Sequence, residues 1–197
     1  MRHLLMPLAV IAGAPLAIAA QPPAQAPVVT TYRGHVIDWQ GALPSADIVK
    51  SIEQQIDLVE AAQVSPEVMT FFRAQRILIN EDPEDISRAG KRTFLARRIH
   101  PAGNPVLLHE LIHRWTYERI PGGVANPELV RFYEAAKASG KFPAKAYMLT
   151  NPNEFLAMTA STVIHGSASR PPFTRENVRK KLPELYAFIV REFGFKE

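Results

Sequence analysis

The sequence of 197 residues contains no cysteine. This absence excludes disulfide bonds, thiolate metal ligands and a cysteine nucleophile. A large excess of charge is also missing, because 23 Lys and Arg residues face 19 Asp and Glu residues. Nucleic-acid binding requires a concentrated basic face, so we expect no nucleic-acid partner. The apolar fraction of 47% is, by contrast, sufficient to build a buried core.

The first 19 residues predict a secretory signal peptide. Arg2 precedes an almost unbroken apolar run over residues 4–18, and the small-x-small sequence Ala-Ile-Ala closes the segment. The run is short for a membrane-spanning helix, and an uncleaved anchor is the alternative. Residues 20–30 are rich in proline, alanine and glutamine and predict a flexible tether. We expect an exported protein, secreted or periplasmic, with no integral membrane segment after signal removal and one domain over residues 31–197.

Apolar spacing and turn residues predict an α+β domain, mostly helical with a small sheet. Helical periodicity and capping residues predict helices after Ser45 and Ser65 and over residues 104–119, 127–138, 152–164 and 176–193. Short β-branched or alternating segments predict strands over residues 76–79 and 91–100. Residues 80–85 form an acidic segment around a proline and predict a turn between the two strands.

The strongest predicted helix carries an HExxH sequence formed by His109, Glu110 and His113. Residues four apart lie on one face of a helix, so the two imidazoles can share one zinc ion at about 2.0–2.1 Å. Glu110 is turned by about 100° around the helix axis and therefore lies beside the metal. From there it can take a proton from the attacking water and pass it to a leaving amine. The alternative is a core helix with incidental polar residues.

A catalytic zinc site needs a third protein ligand. The metzincin pattern is excluded, because Thr116 and Arg119 stand where that pattern requires glycine and a third histidine. We expect Glu154 to be the third ligand, since it begins another helix with an apolar face. Glu134 and His165 are the alternative ligands.

Glu154 also has an alternative structural role. Asn151 is a suitable N-cap residue, Pro152 suits the first helical position, and Glu154 stands third in the helix. This order is typical of a capping box, in which the acidic side chain bonds back to the backbone of the cap residue. The spacing alone leaves the choice between metal ligand and cap open.

A second pattern follows the HExxH sequence. Tyr147, Asn151, Glu154 and Ala157 form Y-x(3)-N-x(2)-E-x(2)-A. The two patterns together resemble the zinc peptidase domain of the anthrax lethal factor type, a gluzincin-like group that is also similar to the bacterial Pro-Pro endopeptidases. The resemblance covers roughly residues 76–160, the half of the chain that carries both patterns.

The resemblance implies a single zincin-like catalytic domain that holds one zinc ion per chain. His109, His113 and Glu154 are then the metal ligands. Glu110 is then the general base. Tyr147 is then the donor of a hydrogen bond to the oxyanion that develops during hydrolysis.

These residues predict an exported zinc metalloendopeptidase that acts on a peptide or protein substrate. An extended substrate is expected to pair with a sheet edge, for which residues 91–100 are the candidate, and the arginines of that segment favour acidic side chains. A non-catalytic zinc-containing binding module is one alternative, and a zinc hydrolase acting on cell-wall peptides is another. The oligomeric state stays open.

Overall fold

The structure, a computed structural model, describes residues 27–80 and 86–197. The predicted signal peptide, most of the predicted tether and all but the first residue of the acidic turn lie outside these ranges. The described chain is α+β, with seven α-helices around a small mixed sheet. No helix in these ranges combines the length and the apolar character needed to cross a membrane.

The sheet has five strands in the order β1-β2-β3-β5-β4. The inner pairs β2–β3 and β3–β5 are parallel, whereas the outer pairs β1–β2 and β4–β5 are antiparallel. The strands are β1 (Val29–Tyr32), β2 (His35–Asp38), β3 (Ile77–Ile79), β4 (Arg88–Ala89) and β5 (Thr93–Leu95).

The hairpin of β1 and β2 was not predicted. Its turn consists of Arg33 and Gly34, both with positive φ, as a two-residue hairpin turn requires. The first strand begins at Val29, so regular structure starts two residues before the predicted domain start at Thr31. Arginine before the glycine is a weak turn signal, and composition alone assigned residues 29–30 to the tether.

The predicted strand over residues 91–100 is shorter than expected and is not an edge. Its regular part, β5, lies between β3 and β4. The edge on this side is β4, a two-residue strand that pairs with β5 around Gly90. Two residues are too few for alternation of apolar and polar side chains to be visible in a sequence. The expectation that residues 91–100 form the edge was therefore wrong.

The helices lie close to their predicted positions, with one correction. They are α1 (Ala46–Glu60), α2 (Pro66–Ala74), α3 (Val106–Glu118), α4 (Pro127–Ala138), α5 (Pro152–His165), α6 (Arg175–Lys181) and α7 (Pro183–Phe193). The helix predicted over residues 176–193 is two helices, separated at Leu182, whose φ of −134° is not helical. Pro183 lacks the backbone N–H that would continue the helix, and its ring clashes with the preceding turn.

The two central helices, α3 and α5, pack against each other and carry the most buried part of the core. Their fully buried apolar side chains are Leu107, Leu108, Leu111 and Ile112 on α3 and Phe155, Leu156, Ala157, Ala160 and Val163 on α5. Close packing of these side chains fixes one helix relative to the other. Polar residues at the contact between α3 and α5 are therefore held in defined positions.

Candidate metal centre

The two histidines of the HExxH sequence converge on one point. Both lie on α3, one turn apart, and His109 Nε2 is 3.0 Å from His113 Nε2. The two rings are nearly perpendicular, at 88°. Apolar side chains bury the helix around them, so the imidazoles are held in the protein interior instead of in solvent.

Glu154 reaches this pair from the first turn of α5. Its Oε2 lies 3.2 Å from His109 Nε2 and its Oε1 lies 3.5 Å from His113 Nε2. One half of the predicted capping box is present, because the Asn151 side chain accepts a hydrogen bond from the Glu154 N–H at 2.9 Å. Asn151 therefore caps the helix, while the Glu154 carboxylate faces the imidazoles.

The three side chains have the geometry of a metal site. Tetrahedral coordination at about 2.05 Å separates neighbouring ligand atoms by about 3.3 Å. The separations here are 3.0, 3.2 and 3.5 Å. Glu154 Oε2 is buried and lies next to His109 Nε2, as two ligand atoms of one metal ion would. The group can hold one metal ion, and its nitrogen and oxygen donors suit zinc as well as other divalent transition metals.

The two alternative third ligands lie elsewhere. Glu134 is exposed on α4. His165, at the end of α5, is hydrogen-bonded through Nε2 to the Gly103 carbonyl oxygen at 2.9 Å. In the described ranges, the His109, His113 and Glu154 group is the cluster whose ligand atoms lie within 4.8 Å of one another.

The pKa values of the two glutamates of the site, Glu110 and Glu154, shift in opposite directions. Burial raises the pKa of Glu110 to about 7, and its Oε2 has no hydrogen-bond partner among the described residues. Burial also acts to raise the pKa of Glu154, but hydrogen bonds with His109 and His113 outweigh it and hold that pKa well below its usual range. Glu154 is therefore a permanent carboxylate, whereas Glu110 can gain and lose a proton near neutral pH.

The pKa values of the two imidazoles also shift in opposite directions. Burial lowers the pKa of His109. Burial opposes protonation of His113 as well, but the neighbouring carboxylates of Glu154 and Glu110 outweigh it and raise its pKa. The neutral, lone-pair-bearing form that binds a metal is thus favoured more strongly at His109 than at His113.

Tyr147 belongs to the same cleft. It opens a short 3-10 turn, Tyr147–Leu149, that leads into α5. Its side chain lines a cleft of about 700 Å³ together with His109 and Glu110. Burial and the nearby Glu154 carboxylate raise the pKa of Tyr147 to about 12. The phenol therefore keeps its proton and can donate a hydrogen bond into the cleft.

Asn153 is a site residue that the sequence reasoning missed. Its Nδ2 donates to the Tyr117 hydroxyl at 2.8 Å, and its carboxamide raises the pKa of His113. The Asn153 Oδ1 and the His113 Nδ1 are both buried and have no hydrogen-bond partner in the described chain. A metal-binding histidine usually donates its second N–H to such an acceptor, which fixes the tautomer. Its position directly before the predicted ligand Glu154 was the sequence signal that could have identified it as a site residue.

No protein-family model, no curated protein and no solved structure matches this chain. What the site can do is therefore argued from its own geometry and chemistry.

Proposed function

We propose that this chain is an exported, zinc-dependent metalloendopeptidase with a zincin-like, gluzincin-type active site. One observation carries the proposal. His109, His113 and Glu154 converge on one point, and His109 lines a cleft together with Glu110. The Y-x(3)-N-x(2)-E pattern and its resemblance to the lethal factor type support the same assignment.

The three ligands suit zinc in charge as well as in distance. Two neutral imidazoles and one carboxylate are a common donor set for a catalytic zinc ion with one position left open. The carboxylate form of Glu154 is the form that binds a metal ion, and its neighbours hold its pKa below its usual range. When bound, zinc supplies Lewis acidity that acidifies a water molecule and polarises the scissile carbonyl group.

Glu110 is the proposed general base. Its buried, unpartnered Oε2 takes the proton of the attacking water and then gives it to the nitrogen of the leaving amine. The burial that raises the pKa of Glu110 to about 7 supports a role in proton transfer. A buried carboxylate without a partner is destabilising, and such groups concentrate at functional sites.

Tyr147 is the proposed oxyanion donor. Its hydroxyl stays protonated at neutral pH because its pKa is about 12. It stands on the same cleft as Glu110, where negative charge develops on the carbonyl oxygen during attack. A fixed O–H donor aimed at that oxygen stabilises the transition state more than the substrate.

The sheet edge supports a peptide as substrate. Ile86 and Ser87, which directly precede the edge strand β4, line the cleft together with His109. The Ser87 hydroxyl accepts a hydrogen bond from the Ala96 N–H at 3.1 Å, which extends the contact between this segment and the chain after β5. An extended peptide that adds to an edge strand places its backbone along such a cleft. β4 thus replaces residues 91–100 as the proposed edge.

The proposal is tested with the purified mature protein, loaded with zinc and incubated with a diverse peptide library. We expect internal peptide bonds to be cut, as read by mass spectrometry. A chelator and the Glu110→Gln variant are both expected to abolish cleavage, and added zinc is expected to restore it only in the parent. Full zinc binding without cleavage of any peptide would instead favour the non-catalytic binding module. Cleavage confined to cell-wall peptides would favour the other hydrolase.

A further inference from the structure

The cleft beside the candidate metal centre has an unbalanced charge. Arg98 and Arg170 line it, and Glu110 is the acidic side chain among its described lining residues. Since Glu110 is assigned to proton transfer, no other carboxylate among the described lining residues balances the two arginines. A bound divalent cation adds further positive charge at the floor.

Two other exposed arginines of the chain are paired with carboxylates. Arg76 lies 2.9 Å from Asp38, and Arg131 lies 2.8 Å from Glu184. Arg98 and Arg170 form no ion pair within residues 27–80 and 86–197. Their guanidinium groups are thus available to a ligand that enters the cleft.

Arg170 is also held in place. Its guanidinium carbon lies 5.5 Å from the centre of the Tyr147 ring, within the range of a cation–π contact. The residue precedes the Pro171–Pro172 sequence in the loop between α5 and α6. The contact directs the positive charge to the wall that carries the proposed oxyanion donor.

The cleft also exposes aliphatic surface. Ile86 and Ile99 line it and are 63% and 64% exposed. Large aliphatic side chains left open to water beside a cleft mark a surface that a ligand covers. Their position next to the arginines places apolar and cationic contacts side by side.

We propose that this cleft selects extended peptides in which acidic side chains stand beside aliphatic ones, with Arg98 and Arg170 as the specificity-determining residues. The inference rests on the proposed peptidase function and names its substrate class. The arginines of residues 91–100 are expected from the sequence to favour acidic side chains. Of these arginines, Arg98 lines the cleft, and Arg170 joins it from the loop between α5 and α6. The arginines act on substrate binding through charge-assisted hydrogen bonds, and Ile86 and Ile99 cover the neighbouring aliphatic groups.

The test compares two quenched fluorescent peptides with the same aliphatic framework. One carries Asp and Glu, and the other carries Asn and Gln at the same positions. We expect the zinc-loaded parent to have a kcat/KM on the order of tenfold higher for the acidic peptide, since each exposed ion pair contributes modestly. The preference should shrink as ionic strength rises.

Two variants and a matched control assign the preference to the arginines. Arg98→Gln and Arg170→Gln are each expected to lower the ratio of acidic to neutral kcat/KM by roughly threefold. Arg170→Glu should lower it further. Arg131→Gln makes the same change in net charge on α4, away from the cleft, and should leave the ratio unchanged.

A binding measurement separates failure of this inference from failure of the proposed function. Fluorescence anisotropy of the same peptides on Glu110→Gln reports affinity without hydrolysis. Equal cleavage and equal binding of both peptides would overturn the specificity and leave the peptidase proposal standing. Tighter binding of the acidic peptide, lost in the arginine variants, with no cleavage by the parent, would support the charged cleft and contradict the peptidase.

Discussion

His35 and His113 are both buried, and each faces a glutamate from a distant part of the chain. In the first cluster, Glu60 Oε1 lies 2.9 Å from His35 Nε2, and both Glu60 oxygens also accept hydrogen bonds from Arg73. In the second, Glu154 faces the imidazoles of His109 and His113, and no arginine or lysine pairs with it among the described residues.

The difference lies in the source of the balancing positive charge. Arg73 neutralises Glu60 from within the chain, and its hydrogen bond contributes most to the lowered pKa of that carboxylate. Glu154 has only the two imidazoles, whose nitrogens face each other at 3.0 Å. A cluster that its own arginine neutralises has the charge balance of a structural site, whereas the second cluster fits the proposed metal centre.

The largest expected difference between the two clusters is the effect on kcat of replacing a glutamate, Glu110 beside the second cluster or Glu60 in the first. Glu110→Gln removes the proposed base and should lower kcat by roughly 10³-fold, since general bases contribute at this scale. Glu60→Gln should leave kcat unchanged but lower the free energy of unfolding by about 1–2 kcal/mol, because it weakens the hydrogen bonds to Arg73 and His35. Steady-state kinetics and urea denaturation check both. Activity lost equally in both variants would contradict the distinction.

The second prediction concerns the phenol in each region. Tyr147→Phe should lower kcat by roughly 100-fold with zinc content unchanged, because an oxyanion donor is lost. Tyr32→Phe removes a hydroxyl that donates to Asp57 at 3.2 Å beside the structural cluster, and it should leave kcat unchanged. Kinetics at saturating peptide provide the comparison. Unchanged turnover in Tyr147→Phe would remove Tyr147 from the mechanism.

The third prediction concerns the support of the ligand His113. Asn153→Leu removes the acceptor next to His113 Nδ1 and should weaken zinc affinity by roughly 10- to 100-fold. Asn153→Asp keeps an acceptor there and should retain most of the affinity. Competition with a zinc chelator measures both variants. Equal affinity of the leucine variant and the parent would show that Asn153 has no positioning role.

The smallest effect concerns pH and the structural cluster. Burial lowers the pKa of His35 below 6.5, although Glu60 acts in the opposite direction. The unfolded chain therefore takes up this proton first, so the stability contribution is complete above about pH 6.5 and is lost as pH falls towards the folded pKa. His100 acts in the same direction, because burial lowers its pKa as well.

Urea denaturation of metal-free protein between pH 7 and 5 tests this prediction. The parent should lose stability over this interval, since the unfolded chain binds the proton of each such histidine at a higher pH than the folded chain does. His35→Gln should show a smaller loss than the parent. An identical pH dependence in the two proteins would contradict the assignment to His35.

The helices and the histidine pair could be predicted from the sequence, because their signals are local. Four-residue spacing alone places His109 and His113 on one face, and Asn151-Pro152 marks a helix start. The sequence could not tell where the Glu154 side chain points, since that depends on the packing of α5 on α3. The partners of Asn153 and the stacking of Arg170 on Tyr147 also arise from tertiary contacts.

The elements that were missed are those with the weakest local signals. The edge strand β4 has two residues and exists only because it pairs with β5. The break at Leu182 was visible as Pro183, but apolar periodicity on both sides concealed it. The sheet edge and the break between the last two helices therefore had to come from the structure.

Metal content tests the central claim most directly. The purified mature protein, Glu154→Ala and the surface control Glu134→Ala are each loaded with zinc, washed free of unbound metal and measured by elemental analysis. The account predicts close to one zinc ion per chain in the parent and in Glu134→Ala, and far less in Glu154→Ala. A parent without bound zinc, or equal zinc in all three proteins, would contradict the three-ligand site.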